Sequence, residues 1–370
     1  MSPIRVLVVD DSAFMRRQLT AIIESDRELA VIGTARNGQE AIEKVKDLEP
    51  DVVALDINMP VMDGLTALTC IMMERPTPCL VISSLTQEGA LTTFEALELG
   101  AVDFVPKPSG TISLDIQRQG KEIVAKVRAA ARARLRGRRF RVNPPQAPRS
   151  KHVNMSLPLN VDSSPVIGIG VSTGGPQALM EILPLLPADL GAPLLIVQHM
   201  PAGFTRAFAK RLDEASVISV KEAEHNEPLV AGRAYVAPGG YQMTVTRSVL
   251  GRGPVINLSD KPRGLTFCPS ADVLFESLAK LFGSRALGVL LTGMGSDGAK
   301  GLLQIRQAGG TTIAESEETA TVFGMPREAI QLGAAQTVAP AHEIASQIIK
   351  GLSCISRMEE RCGTIGAKSS

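Results

Sequence analysis

Over its first hundred residues the chain alternates short apolar runs with stretches in which apolar residues return every third or fourth position. Residues 4–9 read as a strand, and Ser12 is placed to cap a helix carrying Phe14, Leu19, Ile22 and Ile23. A strand near residues 30–33, a helix over 38–48, a strand at 52–55 and a helix after Asp63-Gly64 follow. A strand at 80–83, a helix over 90–99 and a short strand at 102–105 complete the series. Such alternation predicts a doubly wound parallel sheet, flavodoxin-like, whose site lies at the carboxyl ends of the strands.

The pattern then changes character. Between Glu122 and Asp162 no acidic residue occurs, and Arg128, Arg132, Arg134, Arg136, Arg138, Arg139 and Arg141 are followed by Pro144, Pro145, Pro148 and Pro158. Residues 121–135 are rich in Ala and Arg and can prolong the last helix; the Pro-rich remainder reads as an extended tether. We expect a first domain over 1–125, a basic, Pro-rich linker over 126–163, a second domain over 164–355 and a tail over 356–370.

Alternation returns in the second half: strands at 166–169 and 194–198, helices at 178–183 and 205–212, then four short strands at 218–222, 233–237, 243–246 and 255–258. A helix over 270–282, a strand at 286–291, a helix at 299–308, a strand at 311–314 and helices at 327–332 and 342–352 close the chain. This predicts a second α/β domain, mainly parallel, with an antiparallel insert.

Composition narrows the function. Length 370, hydrophobic content 44% and charged content 21% suit two cored domains, and a net charge of +1 argues against a nucleic-acid binder. No run has the length of a membrane span, and the five cysteines show no C-x-x-C spacing, so a protein of the cytoplasm with free thiols is expected.

Polar residues collect at the predicted strand ends. In the first domain these are Asp10 and Asp11, Asp56, Ser83 and Ser84, and Lys107. Converging carboxylates repel one another, and a hard divalent cation, Mg²⁺, relieves that repulsion. Asp56, alone at its strand end, is the candidate nucleophile towards a phosphoryl group, with Lys107 and a serine hydroxyl to hold its oxygens. The residues Val-Val-Asp-Asp-Ser, Leu-Asp-Ile-Asn-Met-Pro-Val-Met-Asp-Gly, Ile-Ser-Ser and Phe-Val-Pro-Lys-Pro resemble the receiver domain of response regulators. The resemblance implies that Asp56 is the phosphoacceptor, that Asp10 and Asp11 join it in holding Mg²⁺, that Ser83 senses the phosphate, that Phe104 changes rotamer and that Lys107 pairs with the phosphate.

In the second domain, Gly170-Val-Ser-Thr-Gly174 fits a nucleophile elbow, a sharp strand-to-helix turn with Ser172 at its apex; the same turn also suits phosphate binding. Of four histidines, His199 alone ends an apolar strand and is the candidate base, while Asp297, in Leu-Thr-Gly-Met-Gly-Ser-Asp-Gly, is the candidate carboxylate. Together with Val-Gln-His-Met-Pro-Ala-Gly-Phe-Thr, Pro-Ser-Ala-Asp-Val-Leu-Phe and Val-Phe-Gly-Met-Pro-Arg-Glu-Ala, these stretches resemble the chemotaxis protein-glutamate methylesterases, the CheB family. That resemblance implies a triad of Ser172, His199 and Asp297, with Thr173, Gly174 and Met294 around the oxyanion, and no cofactor for the ester chemistry. It further implies hydrolysis of glutamate methyl esters and deamidation of glutamines on methyl-accepting chemoreceptors. A histidine kinase of the CheA type would phosphorylate Asp56 and so relieve the receiver's restriction of the second site. One departure is Cys268, where the resemblance calls for arginine. A non-catalytic adaptor docking on receptors is the alternative, and a transcriptional regulator is disfavoured because no helix-turn-helix is visible.

Overall fold

The computed structural model describes residues 2–84, 86–108, 114–135, 161, 163–248, 253–260 and 267–366. The Pro-rich tether expected over residues 136–160 lies outside them. The chain divides into two compact units, Met1–Arg139 and Phe140–Ser370.

In the first unit, β1 (Ile4–Val9), β2 (Leu29–Ala35), β3 (Val52–Asp56), β4 (Cys79–Ser83) and β5 (Asp103–Pro106) form a sheet in the order β2-β1-β3-β4-β5. Every pairing in it is parallel. Helices α1 (Ala13–Glu24), α2 (Gly38–Leu48), α3 (Gly64–Glu74), α4 (Gln87–Glu98) and α5 (Leu114–Ala131) make the crossovers. Four of these helices begin where a short polar side chain accepts a first-turn N–H: Ser12 from Met15, Asn37 from Glu40, Asp63 from Thr66 and Thr86 from Gly89. Because helices cover both faces, β3 and β4 are buried along their whole length and read as apolar runs. The strand order reverses between β1 and β3, so the site of such a sheet opens beside Asp10 and Asp56.

In the second unit, β6 (Val166–Val171) is central. Its sheet has the order β14-β13-β12-β6-β7-β9-β8, with β7 (Leu194–Gln198), β8 (Ser219–Glu222), β9 (Arg233–Val236), β12 (Ala286–Leu290), β13 (Thr311–Glu315) and β14 (Thr337–Ala339). All its pairings are parallel. The helices are α6 (Gly175–Ile182), α7 (Thr205–Ala215), α8 (Ala271–Phe282), α9 (Ala299–Gln307), α10 (Met325–Gln331) and α11 (Ala341–Gly366). Of the four short strands expected as an antiparallel insert, only β10 (Tyr241–Arg247) and β11 (Pro254–Asp260) form an antiparallel hairpin; β8 and β9 extend the parallel sheet beyond β7.

The core of this unit explains the glycines of β6. Phe275, Leu278 and Phe282 of α8 are buried with Val197, Met243, Ile256, Leu290 and Leu302. The helix lies so close to β6 that a Cβ at Gly168 would come within 2.6 Å of Leu278 Cδ1, and one at Gly170 within 2.7 Å of Ala271 Cβ. A side chain at either position would push α8 away, and with it the residues that α8 presents to the site. Here again the chain goes first to one side of the starting strand and then to the other, with the switch between β6 and β12.

Candidate active site and phosphoacceptor site

The strands β7, β6 and β12 are neighbours in register, so the residues that follow them meet at one sheet edge. Val171 is opposite Gln198, and His199 N–H donates to the Val171 carbonyl at 3.1 Å, which sets His199 beside Ser172. Ser172 N–H in turn donates to the Thr292 carbonyl at 3.0 Å, joining the nucleophile turn to the end of β12. Gly174 has φ +79°, where a side chain would be strained, and a Cβ there would lie 2.5 Å from Thr321 Oγ1. This glycine lets the chain turn from β6 straight into α6 while leaving Ser172 at the bend.

His199 Nε2 and Asp297 Oδ2 are 2.7 Å apart, with both side chains buried. A carboxylate only accepts, so the proton between them belongs to Nε2, and Nδ1 carries the lone pair. Nδ1 is buried and hydrogen-bonds to nothing, Ser172 Oγ included, so the bond between base and nucleophile is not made in this structure and would have to close when substrate binds. Asp297 is itself held by the start of α8: it accepts the Ser270 hydroxyl at 2.6 Å, Ala271 N–H at 2.7 Å and Asp272 N–H at 3.3 Å. Burial works to raise its pKa, but His199, Ser270 and Ala271 outweigh that and hold the carboxyl below the ordinary aspartate range. The carboxylate therefore stays ionised and fixes the imidazole tautomer.

Phe267 stacks face to face on His199, with centroids 4.2 Å apart and planes 2° from parallel. Its neighbour Cys268, where an arginine was expected, is half-buried, and its carbonyl accepts Gly240 N–H at 3.2 Å. Met294 is half-buried in the turn between Thr292 and Asp297.

The first unit gathers its expected residues in the same manner. Lys107 Nζ lies 3.0 Å from Asp10 Oδ2 and 2.8 Å from Asp56 Oδ2. Burial disfavours the ammonium, but these two carboxylates hold Lys107 above the ordinary lysine range. Burial raises Asp56, more than Lys107 lowers it. Oxygens of Asp10, Asp11 and Asp56 all fall within 4.8 Å of one another. Asp10 Oδ2 and Asp56 Oδ2 are buried and accept no hydrogen bond besides the lysine ion pair, so the donor set fits a hard divalent cation. Ser83, at the end of β4, accepts the Thr93 hydroxyl at 2.6 Å and donates to the Gly89 carbonyl at 3.2 Å. Phe104 is buried, edge-on to Phe94 at 6.4 Å, with Lys126 Nζ 5.3 Å from its ring centroid.

Comparison with known proteins bears on both units. A family model described as CheB methylesterase matches residues 167–348, and one described as response regulator receiver domain matches residues 6–116. Over 95% of its length the chain is 52% identical to the protein-glutamate methylesterase/protein-glutamine glutaminase 2 of Carboxydothermus hydrogenoformans, of which 99% is covered. The chain belongs to the CheB family. A CheB relative from Symbiobacterium thermophilum is 51% identical over 95% of this chain and 97% of its own. The solved catalytic domain of Thermotoga maritima CheB is 40% identical, covering 51% of this chain and 98% of that one, with a TM-score of 0.49.

In this CheB chain the residues that sequence reasoning passed over are those that act through others. Ser270 was legible only as a helix cap, Phe267 only as an apolar residue before a turn, and Thr292 and Glu315 only as strand-end residues. Their partners are distant in sequence, and no spacing announces them.

Proposed function

We propose that Ser172, His199 and Asp297 carry out the methylesterase and glutaminase chemistry that family membership gives this chain, on glutamate side chains of methyl-accepting chemoreceptors. The supporting observation is the 2.7 Å pair between His199 Nε2 and Asp297, which leaves Nδ1 as the ring nitrogen open to a proton, on a residue whose main chain bonds to the strand end before Ser172. Nδ1 takes the Ser172 proton as Oγ attacks the γ-carbonyl. Main-chain N–H groups at Met294 and in the Thr173–Gly174 turn stabilise the oxyanion. His199 returns the proton to the leaving group, methanol from an ester or ammonia from a glutamine. A water deprotonated by His199 then attacks the acyl-enzyme, and glutamate and the free serine are restored.

The chain is regulated through its receiver, and its phosphodonor we infer to be a histidine kinase of the CheA type. Asp56 accepts the phosphoryl group, Lys107 pairs with its oxygens, and the Ser83 hydroxyl turns from Gly89 to donate to it, with Phe104 changing rotamer in response. Mg²⁺ held by Asp10, Asp11 and Asp56 would neutralise charge on the transferring group. We place this activity in the cytoplasm, where thiols such as those of Cys70, Cys79 and Cys354 remain reduced. Among the described residues no helix is long and apolar enough to cross a membrane.

A fluorophosphonate probe tests the nucleophile. Mass spectrometry is expected to find the adduct on Ser172, lost in His199→Ala; an unlabelled protein would favour the adaptor reading instead.

A further inference from the structure

Thr292 stands at the exit of β12 and forms hydrogen bonds in four directions. Its carbonyl accepts Ser172 N–H at 3.0 Å. Its hydroxyl donates to the Thr173 carbonyl at 2.9 Å and accepts Val322 N–H at 3.0 Å. Its own N–H donates to Glu315 Oε2 at 2.8 Å. Glu315, last residue of β13 and 1% exposed, also accepts the Thr319 hydroxyl at 2.8 Å through Oε1, and Thr319 Oγ1 accepts Ala341 N–H at 2.8 Å.

Three loops are joined through this one residue: the Ser172–Thr173 turn, the Gly293–Met294 turn and the segment around residues 319–324. The third loop reinforces the second, since Gly293 N–H donates to Val322 O at 3.0 Å and Gly293 O accepts Gly324 N–H at 3.1 Å and Met325 N–H at 2.8 Å. The crowding is tight, for a Cβ at Gly293 would lie 2.8 Å from Ser172 Cβ. Thr292 shares the nucleophile turn with Gln198 of β7, whose Nε2 donates to the Ser172 carbonyl at 3.0 Å, but Thr292 is the residue that bonds to this turn and also leads directly into the Met294 turn. A buried carboxylate is costly unless its acceptors are used, and here one oxygen fixes the Thr292 main chain and the other holds the Thr319 hydroxyl.

We infer that Thr292, anchored by Glu315, is a positioning residue for acyl transfer: it sets the spacing between the nucleophile turn and the Met294 turn on which oxyanion stabilisation depends. The inference rests on the site reading proposed above. Donors to an oxyanion must be in place before charge develops, so their misplacement lowers the rate of the chemical step and leaves ground-state binding largely unchanged.

The test is methanol release from methylated receptor membranes by the full-length chain with Mg²⁺ and phosphodonor, comparing wild type, Thr292→Val, Thr292→Ser and Ser172→Ala. Valine keeps the shape and removes the hydroxyl; serine keeps the hydroxyl. Thr292→Val is expected to lower kcat about 30- to 300-fold with KM within twofold, somewhat less than the about 10²- to 10³-fold lost when an oxyanion donor is removed outright, and Thr292→Ser to stay within about threefold of wild type. A Thr292→Val enzyme with wild-type kcat overturns the inference, as does a loss that serine fails to restore. Should Thr292→Val not fold, Thr292→Cys carries the comparison: kcat at least tenfold below Thr292→Ser upholds the inference, and equal kcat overturns it. An active Ser172→Ala would instead overturn the site reading itself.

Discussion

Asp297 Oδ2 lies 2.7 Å from His199 Nε2 and accepts Ala271 N–H at the same distance, so one carboxylate oxygen ties the histidine to the start of α8. The other oxygen is taken by the Ser270 hydroxyl at 2.6 Å. The helix that packs against Gly168 and Gly170 therefore also orients the base.

Asp297→Asn is expected to lower kcat about 10³- to 10⁴-fold, because the amide presents a donor to Nε2 and favours the wrong tautomer. It also alters stability with a defined sign. The folded carboxyl is held below its ordinary range, so its contribution is present above about pH 4 and is lost as pH falls through the lower folded value. Urea melts should show wild type more stable than the variant by roughly 1–3 kcal/mol at pH 6–7, with the gap closing only in strong acid. A gap that closes near pH 6 would contradict this assignment.

Phe267 covers one face of the imidazole. When His199 takes the serine proton, the aromatic face attracts the resulting cation by about 0.5–2 kcal/mol. Phe267→Leu should reduce kcat about two- to thirtyfold, and Phe267→Tyr should retain it. Equal activity of the leucine and tyrosine variants would show that bulk alone matters.

The receiver makes a separate prediction. Chelating divalent cation with EDTA, or changing Asp56 to Asn, should abolish the rise in methanol release caused by a small phosphodonor while leaving the basal rate within about twofold. A phosphodonor response that survives in Asp56→Asn would place the phosphoryl group elsewhere.

Burial pushes the Cys79 thiol up to about 12, whereas Cys354 is exposed. Iodoacetamide at pH 8 should modify Cys354 and spare Cys79 in the folded protein, as peptide mapping can show. Comparable alkylation of both would mean that β4 opens readily.

Much of this was legible in the chain because parallel α/β sheets put their chemistry at strand ends. Asp10, Asp56, Ser83 and Lys107, and likewise Ser172 and His199, directly follow or end apolar runs, and the elements that carry them lie close to the expected bounds. Partnership was less legible. The strands 219–222 and 233–236 are as short as those of a hairpin, yet they extend the sheet in parallel, since strand length does not name a neighbour. The three-residue β14 is too short to show a period at all. Phe267 and Glu315 escaped for a related reason: a ring stacked across 68 positions and a carboxylate bonded across 23 exist only once the sheet has assembled.

The most direct test of the central claim is methanol release from methylated receptor membranes by wild type and Ser172→Ala, each with and without Mg²⁺ and phosphodonor. Release is expected to require Ser172 and to rise with phosphodonor. Equal release by the two proteins under every condition would contradict it.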